Sequence, residues 1–317
     1  MQAYVAGQLE GKATAELIYQ HWQNQFEHYC DGEMQKVCEL TEDFLNENED
    51  YVNEQIVLAK EENNGTLDDS YWYHAQLYQW QMKGIGAGYR EAAQEKNLTI
   101  LSDTNIRFMN IFGDMEDLAE ALKYQHNLTV DLPVVLGDGR CSALIKLLPE
   151  NSDLYVSQVA WTQFNAMTRI SKRYHLAFKT SDTDDNPVPG QDISFSGYPG
   201  IIYSGDDFHI IRPSRLVTLE TTTGNYNDRL WKYVKSSKLL EGARVTIANR
   251  LANNGNWWTS LFKRQNSGTY NNQWMVVDYN KVMDDGSLED GALWVYEQLP
   301  GNCISHELNF ITNLNLF

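Results

Sequence analysis

The chain has 317 residues, 42% of them hydrophobic and 12% aromatic, which is enough apolar material for a sizeable core and excludes a disordered chain. Acidic residues outnumber basic ones by 43 to 25, and a net charge of −18 repels phosphate backbones and anionic membranes. Nucleic acid is therefore excluded as a partner, and the lack of any run of about 18 apolar residues excludes a transmembrane helix.

The opening Met1-Gln2-Ala3-Tyr4-Val5 lacks the basic and apolar segments of a signal peptide, so none is expected in this chain. From residue 10 to 127 the pattern predicts helices. Ala15, Leu17, Ile18 and Trp22 recur at helical spacing, as do Val37, Leu40, Phe44 and Leu45. Between these sets Cys30 and Cys38 flank Asp31-Gly32, a separation that suits either a local disulfide or two buried thiols. Residues 71–93 predict an aromatic-rich amphipathic helix, loosened at Gly84-Ile85-Gly86-Ala87-Gly88. That cluster marks a helix break or a close approach, and it lacks the strand-then-helix setting of a phosphate loop. Residues 105–125 predict a further helix, begun near the Gly113-Asp114 turn. Glycosylation sequons stand at Asn64, Asn97 and Asn127, each followed two residues later by threonine.

After Pro133 the texture changes to short runs separated by Gly, Pro, Asn and Asp. Strands are predicted at 142–148, 154–160, 201–204, 208–212, 216–220, 274–279 and 293–296. Asp182, Asp184 and Asn186 have the spacing of a calcium loop, but Pro187 takes the place that needs glycine and no bidentate glutamate follows. This is a solvated loop. With no Cys/His cluster of zinc spacing either, no metal and no cofactor is expected. Helices followed by strands predict an α+β layered fold, mainly helical over 1–140 and strand-rich over 141–317, both parts of one domain.

Within the strand-rich part, Gly137-Asp138-Gly139-Arg140 delivers Cys141 to the first position of the apolar run Ala143-Leu144-Ile145. An N-terminal-nucleophile hydrolase carries its thiol at such a place once the chain is cut just before it, the freed α-amine then serving as base near neutral pKa. The plainer reading of a lone cysteine is a small buried hydrophobe. Around it, Asp153-Leu154-Tyr155-Val156, Met167-Thr168-Arg169-Ile170 and Phe195-Ser196-Gly197-Tyr198-Pro199-Gly200 follow in order. Asp206-Asp207-Phe208, Glu220-Thr221-Thr222 and Thr269-Tyr270-Asn271-Asn272-Gln273-Trp274 come next, and upstream stand Gln2-Ala3-Tyr4-Val5-Ala6-Gly7 and Gly113-Asp114-Met115-Glu116-Asp117-Leu118. Together these resemble the phospholipase B-like, or lamina ancestor, family over nearly the whole chain.

The resemblance implies the αββα sandwich of N-terminal-nucleophile hydrolases. It further implies cleavage of Arg140–Cys141, and attack by the Cys141 thiolate on an amide or ester of a lipid-like or small acyl substrate. By the family pattern, Asn271 and Asn272 are candidate donors to the oxyanion, and Thr221 and Thr222 orient the amine or the substrate. Trp161 and Arg169 support the pocket, with a core aromatic and a structural ion pair as their plainer roles. A secreted or lysosomal glycoprotein is implied, and all three sequons precede Cys141. Two departures stand out. Where many members carry a pocket histidine this chain has Gln158, followed by Val159 and Ala160, and glutamine cannot shuttle a proton. The chain also starts inside an early motif and ends short of the family's length, so it reads as truncated at both ends and the sandwich as incomplete. A non-catalytic glycoprotein or binding scaffold, or an inactive truncated product, is therefore the alternative. A papain-like protease finds no histidine in a suitable context. The oligomeric state is not legible.

Overall fold

Two helices meet through paired glycines at the start of the chain. The computed structural model describes residues 1–62, 66–132 and 140–308. In it α1 (Gln2–Ala13) lies along α4 (Leu67–Lys96) so closely that a Cβ on Gly7 would stand 2.0 Å from the Gln81 carbonyl oxygen, and one on Gly88 2.0 Å from that of Gln8. Gly84 and Gly11 make the reciprocal approaches. The glycine run is thus a contact surface, and α4 passes through it unbroken. With α2 (Ala15–Gln25), α3 (Gln35–Glu62), α5 (Asp103–Met109) and α6 (Met115–Gln125), these helices form one layer. A disulfide joins Cys30 to Cys38 across the turn before α3. Asn97 ends α4 in the left-handed conformation that asparagine tolerates.

Against the helices stands a seven-stranded antiparallel sheet in chain order: β3 (Ile170–His175), β4 (Asp192–Gly197), β5 (Phe208–Arg212), β6 (Leu216–Thr222), β7 (Asn272–Asp278), β8 (Leu293–Leu299) and β9 (Asn302–Glu307). Helices α7 (Glu241–Leu251) and α8 (Gly255–Lys263) are inserted between β6 and β7. A separate hairpin, β1 (Arg140–Leu147) with β2 (Leu154–Trp161), pairs Cys141 with Ala160 and Ala143 with Gln158.

Strand alternation assigns each side chain to a face. Leu216, Trp274, Val276 and Tyr296 join the large core under the helices, where Trp258 and Phe262 of α8 pack at a tilt against Trp274. Val217, Leu219, Met275, Val277 and Leu293 face the other way, against Ile145 and Leu154 of the hairpin. The order is therefore helices, large sheet, hairpin, a mixed α+β arrangement. The hairpin's outer face, with Tyr155, Val159 and Trp161, is exposed.

Three expectations change. Residues 201–204 form a buried turn, not a strand, because Asn110 and Lys172 bind the backbone of Ile201 and Ile202 in place of a strand neighbour. β3, β4 and β9 are strands the apolar-run criterion missed, since each mixes polar residues into its alternation. α7 was missed for the opposite reason: it is buried all round, so it carries no amphipathic stripe to recognise. α8 has such a stripe but, at nine residues, is too short to declare a helical period.

Candidate functional site around Cys141

Cys141 sits in the hairpin's inward set with Ala143, Ile145 and Leu147, facing the large sheet. Its half-buried Sγ lies 3.4 Å from Oε1 of Glu220, near the end of β6. β5 pairs with β6 only as far as Phe208 opposite Leu219, so on that flank no strand covers Glu220. Glu220 is completely buried and, by alternation, on the helix side of the sheet.

A second carboxyl, Asp207, faces Glu220. Each leaves one buried oxygen, Asp207 Oδ1 and Glu220 Oε2, with no other partner, and a proton shared between the two satisfies both. Burial raises both pKa values, that of Glu220 to about 7, and the neighbouring charges of Glu220 and Glu241 add to the rise at Asp207. Asp207 also accepts a hydrogen bond from the Tyr270 hydroxyl. Both residues are non-glycine and left-handed, each at φ 54°. Such backbone costs of order 1–3 kcal/mol per residue and persists where surrounding structure over-determines it, commonly at functional sites.

The network continues into the helical layer. Asp114, at the N-terminus of α6, accepts from the Thr269 hydroxyl and from the backbone N–H of Glu241 at 3.1 and 3.2 Å. Asp117 accepts from both the backbone and side-chain nitrogens of Asn271, at 3.0 and 2.8 Å. Burial lifts both aspartates to about 6. Two segments far apart in the chain, Gly113–Asp117 and Thr269–Asn271, thus close on one another. Gly113 keeps that contact tight, since a Cβ there would stand 3.1 Å from the Tyr270 ring and push it back.

The other expected residues fall into distinct places. Asn271 is locked to Asp117 and to the Gly268 carbonyl, with its Oδ1 unused. Asn272 is fully buried and neither amide atom has a protein partner, so its donors are free. Thr221 and Thr222 follow Glu220 directly and pair with Gln273 and Asn272. Trp161 turns its side chain outward, 52% exposed; what it offers Cys141 is its backbone N–H, the one group that favours the thiolate. Gln158 shares the inward face with Cys141, one pair further along and opposite Ala143. Arg169 pairs with Asp206 at 3.1 Å and stacks over Tyr198, whose hydroxyl donates to Asp206 at 2.7 Å. The ion-pair role for Arg169 is the one the geometry displays. Asn97 and Asn127 are exposed, both left-handed; Asn64 lies outside the described residues. The backbone of Arg140 pairs with Trp161 in regular strand, and the glycine turn before it is also outside the described residues.

In the uncut chain the Cys141 thiol is a weak acid. Burial pushes its pKa up, and the negative fields of Glu220 and Asp207 push it further. Glu220 and Asp207 were not singled out from sequence as site residues, although both lie in segments that carry the family resemblance. A cavity of about 320 Å³ opens elsewhere, in the helical layer near Leu45, Val52, Met82 and Ile106, and no expected site residue borders it. Among the described residues no helix is long and apolar enough to cross a membrane, and no group of acidic, cysteine or histidine side chains is placed to hold a metal.

The family described as Phospholipase B matches residues 1–313 of the chain. A Mus musculus protein named "Putative phospholipase B-like 2" is 42% identical over 312 residues, and its Homo sapiens counterpart of the same name 43% over 308. Each alignment covers 95% of this chain and 50% of the relative, so the chain spans about half the length of these curated relatives.

Proposed function

The chain belongs to the phospholipase B family, and from that premise we propose that it is a hydrolase of acyl bonds whose nucleophile is Cys141, exposed by cleavage of Arg140–Cys141. The observation that carries the reading is the setting of that thiol. It stands at the start of a strand, 3.4 Å from a buried carboxylate, where several segments bearing the family resemblance converge. An inert core cysteine needs no such surroundings.

In this reading the layers are part of an αββα sandwich of the N-terminal-nucleophile type, and residues 1–140 and 141–317 are the two fragments left by cleavage. The free α-amine takes the thiol proton, and the thiolate attacks an amide or ester carbonyl in a lipid-like or small acyl substrate. Asn272, with a buried amide and no protein partner, is a candidate oxyanion donor, and removing such a donor costs roughly 3 kcal/mol of barrier. Asn271 positions it by tying the start of β7 to Asp117. Thr221 and Thr222 border the amine. The Cys30–Cys38 disulfide and exposed Asn97 and Asn127 suit a secreted or lysosomal glycoprotein.

A non-catalytic scaffold is favoured by one observation, the raised thiol pKa beside Glu220 and Asp207. Intact masses decide between the two after secretory expression with a leader supplied. The hydrolase reading expects a fragment beginning at Cys141, absent in Cys141→Ser. A folded wild-type chain that stays whole establishes the scaffold.

A further inference from the structure

Before Arg140–Cys141 is cut, the nitrogen of Cys141 is an amide and has no basic lone pair. The amine that serves turnover does not yet exist, so opening the chain requires another base. Among the described residues the side chain that accepts from Cys141 Sγ is Glu220, with Oε1 at 3.4 Å. It is completely buried, its side chain meets that of Asp207, and Asp207 is in turn held by the Tyr270 hydroxyl. That leaves Oε1 aimed at the sulfur.

We propose that Glu220 is the catalytic base for the cleavage that exposes Cys141, and that its role as base ends once the α-amine is free. The inference rests on the reading of Cys141 as an N-terminal nucleophile. Glu220 Oε1 takes the thiol proton while the sulfur bonds to the Arg140 carbonyl carbon. The proton then passes to the Cys141 nitrogen as the C–N bond breaks, leaving a thioester and a free amine. Water hydrolyses the thioester, restores the thiol and leaves Arg140 as a carboxylate. One peptide bond and one water are consumed, and nothing is oxidised or reduced.

The groups facing Glu220 are Cys141 from β1, Asp207 ahead of β5, Tyr270 ahead of β7 and Glu241 at the start of α7, whose own pKa burial and Asp114 raise and Arg244 only partly offsets. Apart from that arginine all are acidic, so Glu220 ionises only as neutrality is approached, and cleavage should speed up with rising pH. Turnover by the amine has no such requirement of Glu220.

The test follows the mass of the full chain with time after cell-free synthesis, for wild type, Cys141→Ser and Glu220→Gln, with thermal unfolding of each. Glutamine keeps the shape and loses the base, so its cleavage should slow by at least roughly 100-fold. Glu220→Gln cut at the wild-type rate overturns the proposal while leaving Cys141 as nucleophile. Should that variant fail to fold, the wild-type pH profile decides. A rate rising between pH 5 and 8 supports Glu220, and one that is flat or falling overturns it. Wild type that never cuts, or Cys141→Ser that cuts normally, removes the nucleophile reading and this inference with it.

Discussion

Lowering the pH from 6 to 5 should make this protein more stable, and the buried titratable groups set the size of the effect. Five buried carboxyls, Asp114, Asp117, Asp207, Glu220 and Glu241, have folded pKa values raised above their ordinary ones, chiefly by burial. A carboxyl so raised keeps its proton in the fold where the unfolded chain has lost it. Its contribution is full below the ordinary value and is lost as pH rises through the folded one. Three buried histidines oppose this: His21 is lowered to about 4, and His74 and His209 to about 3, again by burial. Each stays neutral in the fold where the unfolded chain takes a proton, so each weakens the fold as pH falls below its ordinary 6.5. Between pH 5 and 6, with Asp207 and Glu220 both protonated and Asp114 and Asp117 partly so, the carboxyls retain about four protons and the histidines withhold about three. The net of one proton corresponds to about 1.4 kcal/mol per pH unit. Thermal unfolding at fixed ionic strength should show Tm rising by a few degrees from pH 6 to 5. A Tm that is flat or falls over that interval refutes the assignment of these carboxyls as protonated. Asp114→Asn should flatten the slope, because it removes one of the retained protons.

Gly88→Ala should cost about 2 kcal/mol or more, because its Cβ meets the backbone carbonyl of Gln8 at 2.0 Å and neither helix can give way locally. Gly86→Ala, two residues away in the same helix, meets side chains and no backbone, the nearest being the end of Arg90 at 3.1 Å, and should cost less than about 1 kcal/mol because that ion-paired end and helix propensity offset one another; urea unfolding compares the two. Asn271→Asp should lose about 2–3 kcal/mol at pH 7, since it turns a carboxylate on Asp117 and the Gly268 carbonyl, and should recover part of that at pH 5 where a proton bridges the two carboxyls. Arg169→Ala should cost about 1 kcal/mol or less in the same measurement, because the ion pair is partly exposed and Asp206 keeps the Ser196 and Tyr198 hydroxyls.

The layers were readable where the physics is local. Helical spacing at Ala15–Trp22 and Val37–Leu45 reports an apolar stripe against a neighbour, and β1 and β2 were visible as short apolar runs at 142–148 and 154–160, though not their pairing. It was not readable where one residue type serves two ends. Gly84 and Gly88 break helices in many settings, and only the facing Gly7 and Gly11 turn them into a contact. α7 carries Glu241, Arg244, Asn249 and Arg250, all buried, so it reads as an exposed polar segment until Phe262, Gln298 and Gln81 are seen to accept hydrogen bonds from its guanidinium groups. The site shows the same division. Cys141 stands out in the sequence by the glycines before it, whereas Glu220 is 79 residues away and sits inside β6 among residues buried on both faces. Nothing in either segment alone marks the pair.

That pairing also changes what the missing pocket histidine means. Gln158 lies on the hairpin's inward face but opposite Ala143, while Ala160 is the residue paired with Cys141. The group hydrogen-bonded to the sulfur belongs to the large sheet, and it can take up and release a proton, which an amide cannot. Loss of a titratable residue from β2 therefore does not strip the thiol of a proton acceptor. It alters the wall beside the thiol, where Gln158 leaves a buried Nε2 without a partner. A buried amide donor so placed favours a substrate atom that accepts a hydrogen bond over one that is apolar, because leaving the donor unpaired costs about 1–3 kcal/mol. Under the hydrolase reading proposed above, Gln158 therefore bears on which substrates fit, while the proton acceptor nearest the uncut thiol stands on β6.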